Sequence, residues 1–302
     1  MKKVRFIFVA LMGMMAASCS NESDELSNEQ AVEQSQLVPV RVHVEGFSLS
    51  QEEFSGAQTR AAEDVAGYSG INAMTLAFYN AAGTEVVKTT QLRADGSTYT
   101  TFGEFECSLP MGSYTMVAVA YYTNENSVLT LISPTEASYN TRARETFAYT
   151  QEVIISNTNA VDISATLDRI VSMLTVKSSD GKTADVTNVR MTFSAGGKDF
   201  NPTTGLAITT TGLINTVGNS ASVGATSTSS TMLFLNTDEQ DIDVTIETLD
   251  ADGNTLFSKT IEDVPFKRNR VTKLTGAMYT NEALSGTFKI ETAWLSDYNA
   301  EF

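Results

Sequence analysis

The alternation of apolar and polar residues is the feature that most limits how this chain can fold. Every second residue in its first patterned segment is valine, at Val38, Val40, Val42 and Val44. A two-residue period is typical of a β-strand that buries one face. Pro39 has no N–H to donate to a sheet, so we expect it at the start of this strand or on an edge.

The same succession of strands and turns continues along the chain. Residues 74–79 and 85–88 flank Asn80-Ala81-Ala82-Gly83, whose composition predicts a hairpin. Residues 102–109 alternate, and residues 114–122 form a nearly continuous apolar run that predicts a central strand. Further strands are predicted at residues 147–155, 189–193, 242–246 and 288–294.

Many short strands separated by turns are typical of β-sandwiches. At roughly 150 residues per domain, the length of the chain suggests two domains. We therefore predict an all-β fold of two tandem β-sandwich domains, at residues 37–165 and 166–302. Near this boundary the pattern is ambiguous, because residues 161–176 also fit the spacing of an amphipathic helix.

Three weakly patterned segments lie between the strands. Residues 47–66 and 123–144 are expected to form loops. Residues 203–230 are rich in Thr, Ser and Gly, which is typical of either a long surface loop or poorly packed strands. The pairs Asp180-Gly181 and Asp252-Gly253 predict two further hairpin turns.

The N-terminus has the pattern of an export signal. A basic start at residues 2–5 precedes an apolar run at residues 6–17, which is shorter than the ~20 residues that cross a bilayer as a helix. Small residues at 16–18 come directly before Cys19. This order is typical of a secretory signal peptide, which we place at residues 1–18.

Cys19 and the residues before it resemble the lipobox of bacterial lipoproteins, in which the cysteine becomes the lipidated first residue. Such a cysteine carries acyl chains such as palmitate, and two or more chains anchor a protein stably in a membrane. An ordinary signal peptide followed by a chance cysteine is the alternative. Residues 19–36 are polar and are predicted to form a flexible, lipidated tether. Their acidic start resembles the signal that sends Bacteroidales lipoproteins to the outer face of the outer membrane, although a solvated tether has the same composition.

Charge and chemistry argue against several classes of function. The net charge of −16 disfavours binding to nucleic acid and anionic membranes. His43, the only histidine, is expected on the polar face of a strand, and Cys107 is expected to be a buried thiol. Asp250-Ala251-Asp252-Gly253-Asn254 is interpreted as a hairpin turn rather than a calcium loop. We therefore predict no catalytic residue, no metal site and no cofactor.

One segment suggests proteolytic processing. Residues 56–62 are small and carry a single basic residue, Arg60. Proteases cut preferentially in exposed segments of this kind. Cleavage after Arg60 by a trypsin-like, Arg-specific protease would detach residues 19–60, including the valine strand.

Taken together, these features resemble a fimbrillin of the Bacteroidales type V pilus. The likeness is carried by Cys19, the strand at 38–44, Gln58-Thr59-Arg60-Ala61-Ala62, Phe102-Gly103-Glu104-Phe105, residues 109–114, Leu167-Asp168-Arg169-Ile170-Val171 and residues 264–276. The resemblance implies two transthyretin-like β-sandwich domains with Greek-key-type topology. It also implies export as a lipoprotein, Arg-directed removal of the first strand, and assembly by β-strand exchange.

On this resemblance we expect a fimbrial subunit at the cell surface and outer membrane, where it supports adhesion or biofilm formation. Its partners would be further copies joined head to tail, or accessory subunits. The last strand has an alternating set that fits either a donor strand or ordinary core: Phe288, Ile290, Thr292 and Trp294. The alternatives are a lipid-retaining pilus anchor or tip adhesin of the same family, and a surface carbohydrate-binding lipoprotein.

Overall fold

The computed structural model describes residues 36–52, 59–65, 67–93, 101–280 and 288–294. The signal peptide, Cys19 and nearly all of the predicted tether lie outside these residues. The first ten strands are β1 Val38–Glu52, β2 Thr59–Asp64, β3 Ala73–Asn80, β4 Glu85–Leu92, β5 Glu104–Leu109, β6 Gly112–Tyr121, β7 Leu129–Ser133, β8 Glu136–Tyr139, β9 Thr146–Ile155 and β10 Val161–Arg169. The other ten are β11 Ser172–Ser178, β12 Asn188–Phe193, β13 Asp199–Asn201, β14 Leu206–Ala207, β15 Leu213–Gly218, β16 Thr228–Leu233, β17 Glu239–Leu249, β18 Thr255–Lys267, β19 Arg270–Gly276 and β20 Lys289–Trp294.

The first half of the chain forms a sandwich from one long sheet with the strand order β2-β1-β10-β9-β6-β3-β4, with β5 added to β1. The sheet divides between β10 and β9, which pair only at Asp168↔Ala148 and Arg169↔Phe147. Strands on both sides of this division contribute to one core, so β1, β2, β5 and β10 face β3, β4, β6 and β9.

Strands β3 and β6 are buried on both faces. Leu76 and Met116 point into the core of the first sandwich. Alternate residues such as Tyr79 and Val117 belong to a second core, which also contains Phe200 from β13. This middle core is covered by the small sheet β14-β13-β8-β7, whose strands come from both halves of the chain.

The second half forms another sandwich from the sheets β16-β11-β19-β20 and β15-β12-β17-β18. Leu174 and Leu274 from the first of these sheets meet Met191 and Ile246 from the second in a third core. Alternate residues of β11, such as Met173, point to the middle core instead. The all-β sandwich prediction is therefore confirmed.

Most strand predictions are confirmed by the described residues. Strand β6 lies between β3 and β9, as expected for a central strand. The β3–β4 hairpin turns at Gly83, whose φ of 76° favours glycine. Asp250 begins the turn between β17 and β18, where its carboxylate accepts hydrogen bonds from the N–H groups of Asp252 and Asn254. The ambiguous residues 161–176 belong to strands β10 and β11.

Two expected loops are strands instead. In place of a loop at 47–66, β1 continues to Glu52 and pairs antiparallel with β2. At the start of this pairing any side chain in place of Gly46 would collide with the carbonyl of Glu63, and the ladder of β1 with β10 has a bulge between Val44 and Gly46. In place of a loop at 123–144, β7 and β8 form a hairpin that covers the middle core. Both segments are stabilised by pairing and burial against distant strands, which local alternation does not reveal. Within 203–230, the structure places β14, β15 and the start of β16.

The hairpin predicted at Asp180-Gly181 is wrong, because β11 pairs with β16 and β19 rather than with β12. The Asp180 carboxylate instead accepts hydrogen bonds from the N–H groups of Met278, Tyr279 and Thr280, at 2.8, 2.9 and 2.9 Å. Partial burial by itself raises the pKa of Asp180, but these bonds and the Thr280 hydroxyl outweigh it and hold the pKa below its ordinary value. Asp180 therefore fixes the segment that precedes β20.

The change from the first sandwich to the second falls between Arg169 and Ser172. The described residues belong to a single compact unit by their contacts, and the division into domains at residue 165 stays a prediction. Among the residues described here, no helix is long and apolar enough to span a membrane.

The Asp180 contacts predict a specific loss of stability. Asp180→Ala leaves three backbone N–H groups without their acceptor, so the free energy of unfolding should fall by about 1–3 kcal/mol in urea titrations. Because the native pKa of Asp180 is lowered, the carboxylate contributes stability above its unfolded pKa of about 3.9 and loses it as the pH falls through the native value. The difference from the wild type should thus shrink below about pH 4. Asp252→Ala, at an exposed turn position, is the control and should change stability by less than about 0.5 kcal/mol.

Candidate functional site

Strand β1 is an interior strand with both edges paired. On one edge it runs parallel to β10, from Val40↔Val161 to Ser48↔Asp168. The other edge pairs antiparallel with β5 and then with β2. Pro39 is the second residue of β1 and precedes the ladder with β10, as its missing N–H predicts.

The inward face of β1 supplies much of the first core. Four valines of this face are almost completely buried: Val38, Val40, Val42 and Val44. Farther along the strand, the Phe47 ring packs against Phe147, with the ring centroids 4.7 Å apart. Burying a valine side chain is worth roughly 1.5–3 kcal/mol, so the four together contribute about 6–12 kcal/mol. That is comparable with the ~5–15 kcal/mol by which a whole domain is stable.

Two residues on the outward face of β1, Arg41 and His43, lie beside acidic residues of the neighbouring strands. Arg41 lies 3.3 Å from the Glu106 carboxylate on β5 and 3.6 Å from that of Asp162 on β10. His43 is exposed, as predicted, and contacts Glu104 on β5. Glu104 and Glu106 on one side of β1 and Asp162 on the other therefore favour a strand with basic residues at the positions between them.

Arg60 lies in β2, opposite Gln51 of β1, and β2 is the terminal strand of the sheet. The predicted cleavage site thus has an extended backbone on a sheet edge. A cut after Arg60 would leave β1 attached to the molecule only through noncovalent contacts. Residues Ala61–Asp64 of β2 would stay with the remainder of the chain.

The candidate donor strand β20 forms the edge of the second sandwich, where it pairs with β19. Phe288 is half-buried against the third core. Ile290 is 37% exposed, and Lys289 and Glu291 on either side of it are exposed as well. β20 therefore adds less buried apolar surface at its described positions than β1 does, and its role as a donor stays a prediction.

A buried polar cluster lies where β1 approaches the second sandwich. The Arg169 guanidinium is 2.7 Å from the Glu145 carboxylate, and these side chains are only 3% and 7% exposed. The Tyr68 hydroxyl donates to Glu145, and burial, aided by the Glu145 charge, raises the pKa of Tyr68. Arg169 also donates to the Asn269 amide oxygen, at 3.1 Å. We call these four residues the junction cluster.

The junction cluster unites two sequence motifs that carried the fimbrillin resemblance, 167–171 and 264–276. Arg169 comes from the first, and Asn269 from the second. We had predicted no role for either residue from the sequence. The sequence did contain a signal for the cluster, because Arg169 lies next to apolar residues and a buried arginine nearly always has a partner.

A polar cleft of about 400 Å³ opens beside the junction cluster. It lies between strands β9 and β10, the β13–β14 loop and the β18–β19 turn, and its lining includes Tyr149, Asp168, Lys267 and Arg268. Arg268 donates to the carbonyl of Thr204 across this cleft, at 2.8 Å. With Arg169 also in its lining, the cleft combines three cations and an aromatic ring on a strongly acidic protein.

The remaining sequence candidates lie apart from these features. Cys107 is half-buried against the first core, and this burial raises the pKa of its thiol. Within the described part of the chain, no group of three or more His, Cys, Asp or Glu side chains is arranged to hold a metal ion. β1 with its paired edges, the junction cluster and the cleft are thus the features that can carry a function.

The buried ion pair predicts unequal effects for two glutamates. Glu145→Ala leaves Arg169 buried without its counter-charge and should lower the free energy of unfolding by about 3–5 kcal/mol. Glu106→Ala is the matched control, because it removes a partner of Arg41 in a pair that is 58% and 80% exposed. That change should cost no more than about 1 kcal/mol in the same urea titration. Equal effects would contradict the structural importance of the junction cluster.

The fold occurs in several solved structures. The fimbrial anchor protein Mfa2 from Porphyromonas gingivalis is 9% identical, with a TM-score of 0.52 over 86% of this chain and 98% of that chain. A Bacteroides ovatus protein described as a "putative adhesin" is 11% identical, with a TM-score of 0.51 over 82% and 88%. Bacteroides thetaiotaomicron "putative polysaccharide binding proteins (DUF1812)" are 10% identical, with a TM-score of 0.51 over 86% and 100%. The predicted fimbrillin resemblance is thereby confirmed for the fold.

Sequence comparison gives the family. No curated protein matches the chain. A family model described as "Family of unknown function (DUF6562)" matches residues 39–301, from the second residue of β1 to the last residue but one of the sequence. The chain therefore belongs to the DUF6562 family.

Proposed function

We propose that this protein is a subunit of a cell-surface fimbria, exported as a lipoprotein through Cys19 and assembled by β-strand exchange. The observation that carries the proposal is the position of β1. It is an interior strand whose valine face is buried, yet a single cut after Arg60 would free it from the rest of the chain.

Loss of β1 would leave a defined groove. Its walls are the backbone edges of β10 and β5, which pair with β1 in the intact chain. Its floor is the first core, including Phe105 and Leu167. Exposed strand edges and apolar surface favour the addition of a strand from another molecule. The last strand, with Phe288, Ile290, Thr292 and Trp294 at alternate positions, is the proposed donor.

The fold of the chain supports this role. It is shared with a protein named as a fimbrial anchor, and a fimbrial subunit of this kind would act at the outer membrane with other subunits as partners. Its work would be structural and adhesive rather than enzymatic. Head-to-tail exchange would join identical copies into a shaft.

The proposal predicts the outcome of changing Arg60. In cells, Arg60→Ala should abolish cleavage and leave a lipidated monomer that retains β1, as judged by N-terminal sequencing and by the loss of heat-resistant polymer on gels. Arg60→Lys separates a strictly Arg-specific protease, which would not cut it, from a general trypsin-like one. Arg142→Ala, in the loop before β9, is the control and should polymerise normally. Normal polymer from Arg60→Ala would refute assembly through this cleavage.

The mature N-terminus distinguishes the shaft from the anchor or tip role. A shaft subunit purified from cells should begin at Ala61, because processing removes Cys19 together with β1. An anchor or a tip adhesin that keeps its lipid should begin at acylated Cys19 and keep β1 in place. Mass spectrometry of the intact purified protein gives this answer directly.

The cleft supports carbohydrate binding as a second candidate function. Its volume of about 400 Å³ lies within the ~300–1,000 Å³ of typical ligand pockets. Tyr149 offers a ring and Asp168 a carboxylate for sugar hydroxyls, while Lys267 and Arg268 favour an acidic sugar. The ion pairs of Lys267 with Glu239 and of Arg268 with Asp238 are partly exposed, so their exchange for a ligand costs little.

A glycan array tests this candidate. The wild-type protein should bind glycans with carboxylate groups, and Arg268→Ala should weaken this binding about tenfold through the loss of one charge-assisted hydrogen bond. Lys177→Ala is the control, because Lys177 is an exposed lysine of β11 outside the cleft lining. An array without hits, or equal binding by both variants, would leave the fimbrial role as the only candidate.

A further inference from the structure

The carbonyl of Leu49 in β1 is bound by a side chain from the other half of the chain. The ladder with β10 ends at Ser48, and the ladder with β2 steps over Leu49 at a bulge between Ser48 and Ser50. The Asn269 side-chain amide donates to the Leu49 carbonyl, at 3.0 Å. A residue 220 positions away thus satisfies the backbone of the bulge.

Asn269 is held in a single orientation. Its amide oxygen accepts a hydrogen bond from Arg169, which is itself held by Glu145 and Tyr68. The oxygen is therefore directed at the guanidinium, and the amide NH₂ group is left to face Leu49. The backbone of Asn269 has a φ of 60°, which asparagine adopts more readily than most residues do.

The hydrogen bond from Asn269 does not depend on the side-chain sequence of the strand, because its acceptor is a backbone carbonyl. Backbone carbonyls on one edge of a strand recur every two residues, so a strand of another sequence presents an equivalent acceptor at this point. The register of β1 is selected by side-chain fit instead: a side chain in place of Gly46 would collide with the Glu63 carbonyl, and the Phe47 ring packs against Phe147.

We infer that Asn269 is an anchoring residue for the β1 position. Whichever strand occupies this position, β1 before exchange or an incoming strand after it, presents a backbone carbonyl to the Asn269 amide. A strand that ends short of this point leaves a partly buried donor without an acceptor. The inference rests on the proposed strand exchange, and it identifies a contact that holds the end of the incoming strand whatever its side chains are.

The test uses the chain cleaved after Arg60, with residues 36–52 displaced by mild urea. Two labelled peptides are titrated into it: residues 36–49 with a C-terminal methylamide, and residues 36–48 with the same cap. The longer peptide carries the Leu49 carbonyl and should bind more tightly than the shorter one. The ratio of the two affinities should be about tenfold larger for the wild type than for Asn269→Gly. Comparing the two ratios removes the contribution of the Leu49 side chain.

Two further variants secure the interpretation. Asn269→Asp keeps an oxygen for Arg169 but has no donor, so it should lose the same advantage even if the glycine variant folds poorly. Asp263→Gly, at another position of positive φ (52°), is the matched control and should retain the wild-type ratio. An unchanged ratio in both Asn269 variants would refute the anchoring role. Failure of the wild type to bind either peptide would instead refute the proposed exchange.

Discussion

The fold depends on the burial of one strand, β1, between two neighbours and against an apolar core. Its valine face contributes free energy comparable with the stability of a whole domain, and both of its backbone edges are paired. The strand is also the first strand of the described chain and lies on the N-terminal side of the proposed cleavage site. The residues that stabilise the first sandwich are therefore the same ones that the proposed exchange would replace.

The junction cluster links this strand to the rest of the molecule. A buried ion pair contributes little net stability by itself, because removing charges from water is costly. The pair instead fixes positions, because Arg169 donates a hydrogen bond that orients the Asn269 amide, and this amide binds the Leu49 carbonyl of β1. The cleft beside the cluster shares Arg169 and Asn269 with it, so a ligand bound there would touch the same residues that hold β1.

Two local regions differ in charge. The chain is strongly acidic overall, which favours solubility and repels anionic surfaces. The acidic residues beside Arg41 and His43 follow this overall charge, whereas the cations of the cleft are a local exception to it. In the proposed function, the first region suits a strand with basic residues and the second suits an acidic ligand.

The sequence by itself determined the strands, their inward faces and the all-β class, because alternation is a local property that each segment carries. It also indicated β6 as a central strand and Cys19 and Arg60 as processing positions. Only the tertiary structure decided that residues 47–66 and 123–144 contain strands, that Asp180 binds a distant segment, and that Arg169 meets Asn269. These features arise from pairing and hydrogen bonds between residues as much as 220 positions apart, and no local pattern encodes which distant groups will meet.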